Sequence, residues 1–356
     1  MEKFKKLYFL IQNLFRKHYW FSLFVSFFAQ VSFKSDTKMQ EVIEQYAGDR
    51  LADKKYIRKL KRHLFASKLT YQIRYKEYFL LRFDELSDKG KREYIGDYER
   101  YYMLTALSTL SVRELFNKKY ETYLRFKPYY HRDVIKVFSS QDRLAFDQFI
   151  STHKKVIAKP LDDSFGNGVF LIQTDTPDFS ADDTFNKIIS RGEYILEECI
   201  IQCEETAKYH PNSVNTLRIA TFFDGNKTIP LFSFFRTGRG NQIVDNGGAG
   251  GIFTSVDVAT GISITPGIDE DGNTYLCHPD SGEQMIGIRI PKWNEMLELL
   301  DQLARVVPEQ QYVAWDLALT NSGWVMVEAN SKGQFVQQYA EHKGCRRIMN
   351  IIYNKP

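Results

Sequence analysis

Cysteine is scarce in this 356-residue chain, at Cys199, Cys203, Cys277 and Cys345. Cys199 and Cys203 form a CxxxC pair, but no second Cys or His pair stands at zinc spacing, so ordinary reduced thiols are expected. Four scattered cysteines in a chain this long suit a reducing compartment, and a cytoplasmic location follows as an expectation. Proline is absent before Pro128, so nothing interrupts helices over the first third. Long apolar runs are lacking too. WFSLFVSFFAQVSF (Trp20 to Phe33) is 14 residues, where a membrane-spanning helix needs about 20. Arg16, Lys17 and His18 precede it and no small-residue cleavage site follows, so it reads as neither a span nor a signal peptide. Two readings stay open. It is a buried helix, or an interfacial helix flanked by MEKFKK and FRKH that touches the inner face of a membrane. Also missing are internal repeats, a Walker A motif, a dinucleotide fingerprint, and any convincing Ser-His or Cys-His pair.

Hydrophobic residues at 43% and charged residues at 26% are a normal globular balance. The charge is uneven. Residues 1 to 82 hold 18 Lys and Arg against 7 Asp and Glu, which leaves the remainder net acidic. The basic part, including KKYIRKLKRH (Lys54 to His63), suits anionic lipid, a polyanionic substrate, or simply the solvated side of helices. No nucleic-acid motif accompanies it.

The patterning divides the chain. Residues 1 to about 110 read as a helical, basic N-terminal region, with Lys and Arg interleaved among apolar residues at helical spacing from Leu51 to Leu81. Residues 111–200 and 201–356 read as two α+β parts. The strand-like runs are KKVIAKP, GVFLIQ, EYILEECI, NTLRIATFF and TIPLFSFFRTG, the last two flanking an Asp224-Gly225-Asn226 turn. One amphipathic helix, WNEMLELLDQLARVV, ends at Pro308.

VAWDLALTNSGWVMVEAN (Val313 to Asn330) then reads as an apolar hairpin. A three-residue loop, Asn321-Ser322-Gly323, pairs Thr320 with Trp324 and so sets Asp316 opposite Glu328. Facing carboxylates repel unless a cation lies between them. Asn330 shares their face, with Ala314, Ala318 and Met326. Two carboxylates and an amide oxygen are hard ligands that suit Mg²⁺ completed by phosphate and water. Ionic pairing with Arg or Lys is the competing reading. Upstream, AKPLDDSFGNGVFLI sets Ser164, Phe165, Gly166, Asn167 and Gly168 between two strands, with Lys159 at the end of the first. Backbone N–H groups of such a loop can approach phosphate oxygens.

The order of these features is distinctive: strand-end lysine, Gly-rich hairpin, strand with paired Glu, arginine strand, Asp/Glu/Asn hairpin. It resembles the ATP-grasp superfamily. HPNSVNTLRIAT, VDNGGAGG and the D…VEAN ending resemble its sugar-transfer associated branch, linked to teichuronopeptide-type polymers. The likeness runs from about Phe116 to Gly344. It implies an α+β ATP-grasp fold, two subdomains clasping ATP. It also implies a nucleotide lysine at Lys119, with Lys118 as rival, and a hinge at YILEECI. There Glu197 points inward and the backbones of Glu198 and Ile200 meet adenine. Glu204, or Glu205, stands by the ribose, and Asp316, Glu328 and Asn330 match the Mg²⁺ triad. Arg218 is expected on a γ-phosphate or acyl-phosphate and Arg236 on a tetrahedral oxyanion. Arg239 is more readily a surface ion pair. Asn246-Gly247-Gly248 lines the acceptor side, and His210 and Asn215 carry no assigned role. The activity implied is ATP-dependent joining of an amino acid or peptide to a carboxylated sugar or glycan. A kinase on the same scaffold and a non-catalytic nucleotide- or glycan-binding module are the alternatives.

Overall fold

Aspartate caps start two of the N-terminal helices. Helix α1 spans Tyr19–Phe28 and α2 spans Thr37–Tyr46, where the Asp36 carboxylate accepts from Met39 N. Asp53 accepts from Lys55 N and Tyr56 N to open α3, Lys54–Tyr71. The computed structural model describes residues 13–29, 33, 35–161, 168–245 and 247–353. These form two compact units, Met1–Thr105 with Gln334–Pro356, and Ala106–Gly333.

In the first unit, helical spacing buries Met39, Ile43, Leu60, Leu64, Tyr71 and Phe83 in one core. The C-terminal tail belongs to this core as well as to this unit. The Gln338 amide accepts from Ile95 N and donates to Ile95 O, both at 3.0 Å, as a neighbouring strand would.

The second unit carries the motifs. Helices α4 (Leu110–Asn117) and α5 (Lys119–Tyr130) lead into strand β1, Val134–Val137. There follow α6 (Arg143–Thr152), β2 (Lys155–Pro160), β3 (Phe170–Gln173), α7 (Ala181–Arg191) and β4 (Tyr194–Glu198). The four strands form an antiparallel sheet in the order β1-β4-β2-β3. One face packs Val137, Val156, Ala158 and Leu196 against α6 and α7. The other presents Lys159 and Glu197, with Val134 and Ile195 joining the unit's main core.

The remaining strands are β5 (Thr216–Phe223), β6 (Thr228–Thr237), β7 (Ile252–Asp257), β8 (Ile262–Ser263), β9 (Gly267–Ile268), β10 (Thr274–Tyr275), β11 (Tyr312–Thr320) and β12 (Gly323–Asn330). Helix α8, Trp293–Val306, precedes the last two. They build an antiparallel sheet ordered β10-β9-β7-β6-β5-β11-β12, with β8 on β7. Strand β11 lies between β5 and β12 and is buried almost throughout, which explains its apolar run. Val313, Trp315, Leu317 and Leu319 enter the main core, where Trp315 meets Phe126 edge-on at 5.6 Å. Ala314, Asp316 and Ala318 point to the opposite face.

The hairpin register differs from the sequence expectation. Thr320 pairs with Gly323, so the turn holds two residues, Asn321 and Ser322, and not three. Carried on unbroken, that register would face Asp316 with Val327. A bulge leaves Val327 as the extra residue and returns Glu328 to a position opposite Asp316. Met326 is corrected as well: it lies opposite Leu317, in the core rather than on the carboxylate face.

Candidate active site

The face of β5, β6 and β11 carries an alternating chain of charge. Arg218 stands directly opposite Asp316 on β5 and donates from Nε to Oδ1 and from Nη2 to Oδ2, each at 2.5 Å. Arg236 donates from Nη2 to Asp316 Oδ2 at 3.2 Å and to Asp245 Oδ1 at 3.1 Å, and from Nε to Thr216 Oγ1 at 3.0 Å. Asp245 also accepts from the Thr216 N–H and hydroxyl. Burial opposes charge on Asp316, but the two guanidinium groups outweigh it and hold its carboxyl below the usual range.

Glu328 has the opposite balance. Solvent reaches its side chain, yet dense protein surrounds it. This desolvation, with the Asp316 charge beside it, pushes the carboxyl up, and Arg218, Lys159 and Lys119 only partly offset that. Asp316 has committed three of about four lone-pair sites to the arginines, leaving one. Asn330 adds a buried Nδ2 that has no hydrogen-bond partner among the described residues. Turning that amide over puts an oxygen in the same place, and the two orientations differ only in which atom is called which. Oxygen-only donors, one of them orphaned and another a raised carboxyl, fit a hard divalent cation such as Mg²⁺.

The small sheet supplies cations. Lys159 Nζ donates to Glu197 Oε1 at 2.8 Å, and Lys119 Nζ donates to the Pro160 carbonyl at 2.6 Å. Lys118 is exposed one residue earlier, so the structure brings Lys119 and not its rival to the end of β2. Arg132 closes the group, donating from Nε and Nη2 to Glu197 Oε2 at 2.9 and 2.6 Å. Burial would raise the Glu197 carboxyl, but Lys159 and Arg132 bring it down to about 2. Arg132 Nη1 also donates to the Met326 carbonyl at 2.6 Å, and Nη2 to the Val327 carbonyl at 3.5 Å. One side chain thus ties the β4 carboxylate to the bulge that sets Glu328.

Beyond β4 the backbone is available. Glu198 turns its side chain the other way, its carboxylate 3.8 Å from His153 and accepting from Asp133 N. Among the described residues no hydrogen bond uses the Ile200 backbone. An open pocket of about 330 Å³ lies here, lined by Arg132, Glu198, Ile200, Thr320 and Val325 among others. Glu204 is exposed and its side chain is unpaired among the described residues, whereas the Glu205 carboxylate accepts from its own N–H and from Cys203. Gly168 has φ +70°, where a Cβ would come within 3.2 Å of Pro160 Cγ, and its carbonyl accepts from the Tyr194 hydroxyl at 3.3 Å. Ser164, Phe165, Gly166, Asn167 and Asn246 lie outside the described residues.

Other motif residues are structural. His210 Nδ1 accepts from Ser213 N and its Nε2 bonds the Gly240 carbonyl, while the Asn215 amide donates to Thr206 O and His210 O. Arg239 is held by Tyr275 and Asp269. The sequence reading missed Arg132 and Asp245. Asp245 stood in the quoted VDNGG, directly after apolar Ile243 and Val244, which was a usable signal; Arg132, between His131 and Asp133, had none.

The two antiparallel sheets are those of an ATP-grasp protein. More particularly, the chain belongs to the sugar-transfer associated ATP-grasp family, whose profile matches residues 121–353. No curated protein sequence matches it. Among solved structures, the chain is similar to the ATP-grasp ligase PsnB complexed with precursor peptide PsnA2 and AMPPNP, at 12% identity and TM-score 0.41. That match covers 69% of this chain and 59% of the other. D-alanyl-alanine synthetase A from Vibrio cholerae O1 biovar eltor matches at 8% identity and TM-score 0.41, covering 69% and 66%. The macrocyclase MdnC from Microcystis aeruginosa, bound with precursor peptide MdnA, matches at 15% and 0.39, covering 70% and 63%.

Proposed function

We propose that this chain is an ADP-forming carboxylate–amine ligase that joins an amino acid or peptide to a carboxylated sugar in cell-surface polysaccharide biosynthesis. The observation that carries the reading is the Asp316–Glu328 pair, one carboxylate neutralised by arginines and the other raised and open, facing Lys159 and Lys119. In this reading Glu328, Asn330 and the remaining lone pair of Asp316 hold Mg²⁺, which supplies charge neutralisation for the ATP phosphates. Lys119 and Lys159 bind phosphate oxygens, the Glu198 and Ile200 backbones take the adenine edge, and Glu204 takes the ribose. A substrate carboxylate oxygen attacks the γ-phosphorus and ADP leaves, giving an acyl-phosphate. An amine then attacks the acyl carbon and phosphate leaves with the bonding pair, forming the amide. Arg218, through an Nη1 that makes no hydrogen bond among the described residues, steadies the transferred phosphoryl group. Arg236 serves as the strut that fixes Asp316, and an oxyanion contact is left only to its Nη1.

Four scattered cysteines and a reaction that consumes ATP support a cytoplasmic location. Mass spectrometry of products from pooled amino acids and uronic-acid-containing glycans with MgATP tests the reading. The expected product is an amide, formed with ADP release that needs both substrates. A γ-phosphate recovered on a hydroxyl would make the protein a kinase. Nucleotide binding with no turnover on any pool would make it a binding module.

A further inference from the structure

Helix α1 is amphipathic in the inverted sense. Its small polar residues are the buried ones: Ser22 and Ser26 are fully buried, with Ser22 Oγ 2.7 Å from Thr70 Oγ1 of α3. Its large aromatics face out, with Trp20 67%, Phe24 55%, Phe27 52% and Phe28 74% exposed. Trp20, Phe24 and Phe28 recur every fourth residue and so form one stripe along the helix. A helix selected only to fill its own core would turn that stripe inward.

We propose that this face docks on an anionic lipid bilayer, with α1 lying in the plane of the interface. Charge identifies the occupant. Helices α1 and α3 together carry Lys54, Lys55, Arg58, Lys59, Lys61, Arg62 and Lys68 and contain no Asp or Glu. Lys54, Lys55, Arg58 and Lys59 are exposed. The Arg62 guanidinium lies over the Phe27 ring, 3.2 Å from its centroid, so a cation stands on one of the exposed aromatics of α1. Aromatics at the headgroup boundary beside lysines and arginines are the chemistry of an interfacial helix on anionic lipid. The same face of a second copy would bring like charge against like. With 10 residues α1 is far too short to cross, and no helix among the described residues is long and apolar enough to do so.

Vesicle flotation of the full chain tests this, using phosphatidylcholine vesicles and vesicles of phosphatidylcholine mixed with phosphatidylglycerol. The protein should float with the mixed vesicles, less so at high salt, and weakly with phosphatidylcholine alone. Phe24→Ser with Phe28→Ser should lower partitioning at least about tenfold. Lys54, Lys55, Arg58 and Lys59→Gln together should remove the preference for anionic lipid. All six side chains point outward, so circular dichroism and nucleotide binding should not change. Failure of the wild type to float, or flotation equal in all variants, overturns the proposal. So does a dimer that the Phe24/Phe28 variant converts to monomer without any lipid binding, which would give the face to a second copy.

Discussion

Arg132 holds Glu197 with two nitrogens, at 2.9 and 2.6 Å, and from the same guanidinium reaches the Met326 carbonyl at 2.6 Å. The pair therefore couples β4 to the bulge that presents Glu328. Arg132→Met removes one partner of a buried pair and should cost about 3–5 kcal/mol. In a double-mutant cycle with Glu197→Gln, read by denaturant unfolding, the combined loss should fall well short of the sum. Additive losses would show that the two side chains act separately.

Asp316 and Glu328 should respond unequally to neutralisation. Asp316→Asn leaves Arg218 and Arg236 facing an amide and should destabilise by about 3–5 kcal/mol. Glu328→Gln relieves a carboxylate contact on an open side chain and should change stability by less than about 1 kcal/mol. Both should abolish ADP formation. Thermal melts beside an ADP assay separate the two effects, and an active Glu328→Gln protein would remove this residue from the site.

Glu204 and Glu205 are distinguishable in the same way. Glu204→Gln should weaken nucleotide binding at least about tenfold, roughly the loss of charge from one hydrogen-bond acceptor. Glu205→Gln should leave nucleotide affinity unchanged, because its carboxylate caps its own short helix. Calorimetric titration with nucleotide reads both, and a reversed pattern would assign the ribose to Glu205.

Glu77 gives the first unit a pH dependence. Burial, helped by Asp97, raises its carboxyl to about 7 from 4.5, against the Arg74 and Asp97 N–H groups and the Tyr339 hydroxyl. Between those values the folded state holds a proton that the unfolded chain has lost. The contribution is thus complete below 4.5 and disappears as pH rises through about 7. It amounts to about 3 kcal/mol. Glu77→Gln should flatten thermal stability across that window, and an unchanged slope would contradict the assignment.

The α+β order, the basic helical region and the residues of the carboxylate hairpin were legible because each depends on local spacing. The pairing of Asp316 with Glu328 was reached through a loop of the wrong length. A two-residue turn and a bulge at Val327 compose to the same register as a three-residue turn with none, and side-chain pattern alone does not tell them apart. Arg132 and Asp245 were missed for another reason. Their partners lie 65 residues away in Glu197 and 9 residues away in Arg236, and only the folded sheets bring the first pair together. The orientation of α1 was equally hidden, since its composition suits a buried and an interfacial helix alike. Burial of Ser22 and Ser26 shows which face turns inward.

The central claim is that Glu328, facing Asp316, completes a cation site on which ATP is held. Isothermal titration of AMPPNP into the wild type and Glu328→Gln, with Mg²⁺ and with EDTA, tests it most directly. Binding to the wild type should need Mg²⁺, and the variant should lose about 3 kcal/mol of affinity, roughly a hundredfold, only when Mg²⁺ is present. Equal affinity with and without Mg²⁺, or a variant that binds as tightly as the wild type, would contradict the account.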